Sequence, residues 1–198
     1  MNADPEIIAA AARLVVEEGL DYGSAKRKAA RALGRRHERR GALPDNEAVE
    51  DEVREYLALF CADTQPAELR ALRELARVWM QRLAEFRPHL AGAVWRGTAT
   101  RLSVVQIELY CDDPKSAEIA LVNAGVDYDS AVLERSGREP VNVLTLAAPC
   151  RALGETMTLQ LSLLDHDDLR GALKPDNRGR SWRGDLAALE RMLAEEKR

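Results

Sequence analysis

Several things are scarce in this 198-residue chain, and each scarcity closes off a class of function. Only three cysteines occur, Cys61, Cys111 and Cys150, an odd and widely spaced set with no CxxC pair, which argues against a disulfide scaffold or a cysteine metal knuckle. Three histidines, His37, His89 and His166, never fall at an HxxxH spacing or beside a cysteine, so zinc is not indicated. No apolar run approaches the roughly 20 residues of a membrane span, and no signal peptide is evident. These readings predict a soluble protein in the reducing cytoplasm. Net basic charge is lacking too: the formal charge is −4, which gives no global case for nucleic acid or an anionic membrane.

Apolar residues at 46% and charged residues at 31% provide for an ordinary core and an ordinary surface. The charges are blocked. Residues 21–41 hold eight bases (Lys26, Arg27, Lys28, Arg31, Arg35, Arg36, Arg39, Arg40) against Asp21 and Glu38. Residues 45–57 hold six acids (Asp45, Glu47, Glu50, Asp51, Glu52, Glu55) against Arg54. Such blocks either pair across a helical hairpin or, for the basic one, present Lys26, Arg27, Lys28 and Arg31 to phosphates from a helix over 24–40.

Periodicity divides the chain into two halves. Ile7, Ile8, Ala11, Leu14 and Val15 predict a helix that stops at Gly19. A second helix is expected from Ser24 to about Gly41, and a third after Asp45, with Val49, Val53, Tyr56, Leu57 and Phe60 on one face. A fourth begins at Gln65-Pro66 and ends by Pro88. Beyond that point the reading turns to strands: 90–95, 104–111, 131–134, 141–146 and 158–164. One helix interrupts them from Pro114 to Leu121, and a last one runs from about Asp185 to Glu195. The fold class expected is α+β: a helical region over 1–87, then a small mixed sheet with a C-terminal helix over 88–198.

One stretch carries chemistry. Gly92, Arg96, Gly97, Thr98, Ala99 and Ser103 resemble the signature of the nucleotidyltransferase superfamily, the polymerase-β-like fold. Its pattern runs Gly-Ser, a turn often written Arg-Gly-Thr-Ala, then Ser-Asp-x-Asp on the next strand. The resemblance covers 88–165 by organisation and 92–103 by specific matches. It implies Mg²⁺-dependent nucleotidyl transfer from a nucleoside triphosphate, with Gly92, Arg96, Gly97, Thr98 and Ser103 holding phosphate. Two metal ions in such a site lie about 3.5–4 Å apart and align the attacking and leaving oxygens. Mg²⁺ prefers hard carboxylate oxygens, and alternate strand residues share a face, hence Asp-x-Asp. Here the serine position is Ala93 and the two aspartate positions are Val104 and Gln106, while strands 141–146 and 158–164 contain no acid. Glu108, of the same parity, is the one in-strand carboxylate left to serve as metal ligand or catalytic acid. Asp112-Asp113-Pro114 reads as a turn and helix cap.

The expectation is a nucleotidyltransferase-like pseudoenzyme that binds a nucleotide or another phosphate-bearing ligand. The alternatives are a nucleic-acid-binding module using the basic helix and a structural interaction protein.

Overall fold

The computed structural model describes residues 4–34, 43–134, 139–169, 173–176 and 178–196. His37 and Arg35, Arg36, Arg39 and Arg40 of the basic block lie outside the described residues. The chain divides into two compact units, residues 1–68 with 98–103, and residues 69–97 with 104–198.

The first unit is helical. Asp4 caps α1 (Pro5–Glu18), Asp21 caps α2 (Tyr22–Ala32) and Asp45 caps α3 (Asn46–Phe60), each carboxylate accepting a backbone N–H of the first turn. The second cap is Asp21, three residues before the expected Ser24: the Asp21 carboxylate accepts from the Ser24 amide at 2.9 Å. Ile7, Ala11, Val15, Ala25, Ala29, Val49, Val53 and Leu57 pack into one core. Alanine on α1 and α2 allows these helices to approach closely. Phe60 had been placed on that apolar face, but it lies at the last turn and is exposed.

The second unit takes most of α4 (Gln65–Arg82) and a six-stranded sheet ordered β3-β4-β5-β2-β1-β6. The strands are β1 (His89–Ala91), β2 (Val105–Tyr110), β3 (Asp129–Leu133), β4 (Val141–Cys150), β5 (Glu155–Leu164) and β6 (Arg183–Asp185). β2 and β5 run parallel and the other neighbours antiparallel, so the sheet is mixed and the fold α+β. Between β1 and β2 stands α5 (Gly92–Arg96); α6 (Pro114–Asn123) follows β2, and α7 (Leu186–Glu195) closes the described chain. Ile107, Leu109, Leu144, Leu146, Leu159 and Leu161 are buried on one face of the sheet.

Three expectations need correcting. The helix expected from Ser24 to about Gly41 ends at Ala32, with Leu33 as its cap and Gly34 at a φ of 75°. Residues 90–95 are not one strand: β1 ends at Ala91 and the next five residues wind into a helical turn. β6, three residues centred on Gly184, was not expected. Its glycine has a packing reason. A Cβ on Gly184 would stand 2.0 Å from the Trp95 ring, so the strand passes flat beneath the indole.

Candidate functional site

The opposite face of the sheet carries polar residues over much of its width and a small apolar cluster of Tyr110, Val141 and Leu164 at one end. Register places Asp129, Thr145, Gln160, Gln106, Ala91 and Arg183 in one row across all six strands, and Ala131, Val143, Ser162, Glu108, His89 and Asp185 in the next. Side chains alternate between faces along each strand, so each row projects from one side. Gln160, directly opposite Gln106, was not singled out by sequence reading; the parallel pairing that joins them is long-range and leaves no local signal.

α5 enters this face at Gly92. Its φ is 64°, a left-handed conformation that favours glycine, and a Cβ would meet the Gln106 Oε1 at 2.3 Å. Gly92 therefore lies directly against the Gln106 side-chain amide. The preceding Ala91 offers no side-chain cap to the first-turn amides.

Several contacts hold so short a helix. Arg73 of α4 is buried and donates from Nε to the Val94 carbonyl at 3.1 Å and from Nη2 to the Trp95 carbonyl at 3.1 Å, satisfying last-turn acceptors; its Nη1 pairs with Glu196. Trp95 donates from Nε1 to the Ser181 carbonyl at 3.0 Å. Arg96 donates from Nη2 to Asp176 Oδ2 at 3.0 Å and from Nη1 to the Ser181 carbonyl at 3.2 Å, with its guanidinium 4.3 Å from the Trp182 ring centroid. The sequence-predicted phosphate cation is thus buried and already holds an internal anion.

The predicted site residues are divided between the two units. Gly92, Arg96 and Gly97 belong to the sheet unit, Gly97 closing α5. Thr98 and Ser103 belong to the helical unit: Thr98 Oγ1 lies 3.3 Å from the Tyr22 hydroxyl, and Ser103 Oγ accepts from the Thr100 amide at 3.0 Å. Glu108 accepts from Arg183 Nη1 at 2.5 Å and from the Tyr110 hydroxyl at 2.7 Å. Burial, and then the Glu108 carboxylate, push the Tyr110 phenol upward, so it stays protonated and donating. Asp113 caps α6.

The donor set does not fit Mg²⁺. Val104 has no donor, Gln106 and Gln160 each offer one neutral carbonyl oxygen, and Glu108 is bound to a guanidinium that a divalent cation would have to displace. Among the described residues no cluster of three or more His, Cys, Asp or Glu is placed to hold a metal ion. Cys111 and Cys150 are buried free thiols, with Cys150 Sγ 4.0 Å from the Ala71 carbonyl.

No family model matches the chain, and no curated protein does. Two solved structures are similar to part of it. Cid1 in complex with its short product ApU is 15% identical, with a TM-score of 0.34 over 54% of this chain and 32% of that one. The Cid1 poly(U) polymerase with MgGTP bound is 14% identical, with a TM-score of 0.33 over 51% and 32%. The likeness spans about a third of those chains.

The basic residues of α2 are largely engaged. Lys26 Nζ donates to the Pro44 carbonyl and to Asn46 Oδ1, both at 2.8 Å. Arg27 donates to Ser24 Oγ at 3.1 Å, Lys28 pairs with Glu18, and Arg31 is exposed. Among the described residues no helix is long and apolar enough to cross a membrane.

Proposed function

We propose that this chain is a nucleotidyltransferase-like protein, catalytically impaired, whose polar sheet face binds a nucleotide or a similar phosphate-bearing ligand. The observation that carries the reading is Gly92 seated against Gln106, which lies opposite Gln160, so that neutral amides occupy the place where the superfamily pattern calls for acids. Amides donate hydrogen bonds to phosphate or base oxygens without a metal, whereas two-metal chemistry needs the carboxylates. With Arg96 paired to Asp176 and the Thr98 and Ser103 hydroxyls in internal contacts, recognition falls chiefly on the backbone at Gly92 and on the two glutamines.

Thermal denaturation with ATP, GTP, CTP and UTP, each with and without Mg²⁺, tests this. A ligand at a hundred times its Kd adds about 2.7 kcal/mol. The expected result is stabilisation by at least one nucleotide that does not depend on Mg²⁺, with no transfer from an α-labelled triphosphate. Absence of any shift removes the nucleotide reading; Mg²⁺-dependent transfer that is lost in Glu108→Ala removes the impairment.

A further inference from the structure

The two edges of the sheet are finished differently. β6 is three residues long and passes through Asp185 directly into α7, which leaves little edge to pair. β3 lies at the other end of the strand order, bonded among the described residues to β4 alone, and all five of its residues are exposed. Its register with β4 runs unbroken from Asp129↔Thr145 to Leu133↔Val141, so no bulge interrupts it, and the strand contains neither Pro nor Lys. Those are the usual devices that blunt an open edge. Instead Val132, 62% exposed, and Leu133, 57% exposed, stand on opposite faces at the rim.

Beside this edge lies a cavity of about 340 Å³ lined by Asp127, Tyr128, Asp129, Thr145, Ala147 and Thr158, among others. Asp127 and Asp129 are exposed carboxylates at the start of β3, and Glu134 is another just past its end. A row of outward main-chain groups, apolar footholds on both faces and the acidic pair Asp127 and Asp129 at the start of the strand together define what would bind.

We propose that the β3 edge is a docking site for an extended peptide segment in which basic and apolar residues alternate. The segment adds to the sheet as a seventh strand and places a Lys or Arg side chain in the cavity bordered by Asp127 and Asp129. Main-chain pairing supplies affinity and the acidic cavity supplies specificity, the division typical of strand addition. The interface is small, so the complex is transient. This inference is independent of the nucleotide reading.

The probe is a fluorescein-labelled peptide of alternating Lys and Val, titrated by anisotropy into the full-length protein, with amide hydrogen exchange read on residues 129–134. Expected are saturable binding, slowed exchange in β3, no binding of the matching Glu–Val peptide or of a Lys–Val peptide N-methylated at alternate residues, and a loss of about fivefold or more in Asp127→Asn/Asp129→Asn. Both substitutions are at exposed positions, so folding is not at stake. Failure to saturate, equal binding of the Glu–Val peptide, protection outside β3, or self-association through β3 that the peptide does not compete with would each overturn the proposal.

Discussion

The Asp176 carboxylate accepts, among the described residues, from the Arg178 amide at 2.9 Å, the Arg180 amide at 2.8 Å, Arg180 Nε at 3.1 Å and Arg96 Nη2 at 3.0 Å. Burial alone would raise its pKa. The Arg180 amide, the Arg96 guanidinium, the Arg178 amide and the Arg180 charge outweigh that and hold the carboxyl well below the usual carboxylate range. A folded-state value below the unfolded one contributes stability that is complete above the unfolded value, near 4, and is lost as pH falls toward the folded one. Asp176→Asn is therefore expected to melt below the wild type at neutral pH and to lose less between pH 6 and pH 3, so that the two curves of Tm against pH converge in acid. Parallel curves would mean that the carboxylate is not linked to folding. The same residue is the partner of Arg96 that the sequence does not reveal. A cation after a glycine-rich turn suggests a ligand, and nothing local reveals a carboxylate 80 positions away.

At the scale of elements, those with a repeating signal were legible. α1, α3, α4 and α7 each run ten residues or more and carry an apolar stripe and a cap or an N-terminal proline, which periodicity detects. α5 has five residues, little more than one turn, and within so short a span Leu90 to Trp95 reads equally as strand. It stands because other elements supply what its length does not, and Arg73 contributes most directly. Its position on the apolar stripe of α4 with Leu69, Leu72 and Ala76 was the available clue, since a buried arginine needs fixed acceptors. Arg73→Met keeps the stem and removes the donors, leaving the Val94 and Trp95 carbonyls without them. The expected cost is about 1–3 kcal/mol for each carbonyl left unsatisfied. Chemical denaturation should show a lowered midpoint at unchanged slope, and Arg73→Lys should restore only part of it, a single ammonium being unable to span both carbonyls as the guanidinium fork does. An unchanged midpoint in Arg73→Met would show that α5 holds without this clamp.

For the molecule as a whole, sequence reading reached the α+β class and the mixed character of the sheet. It did not reach the row Asp129–Thr145–Gln160–Gln106–Ala91–Arg183, because lateral order in a sheet with a parallel pair is set by crossovers and not by neighbours in sequence. Charge shows the same limit. The basic block read either as an internally paired face or as a phosphate-facing surface, and Lys26, Arg27 and Lys28 all make internal contacts. Of these Lys28 is held against a carboxylate, so among the described residues of α2 the exposed Arg27 and Arg31 carry most of the polyelectrolyte contribution. Each phosphate contact gives a slope of about −0.9 in log K against log salt for duplex DNA. If the chain has any duplex affinity, Arg31→Glu is expected to change that slope by about one, while Lys28→Glu leaves it nearly unaltered, since Lys28 has already exchanged its counterion for Glu18. Equal slope changes from both substitutions, measured by fluorescence anisotropy across a salt series, would show that the Glu18 pair opens on binding and would bring the nucleic-acid reading of this helix back to the front.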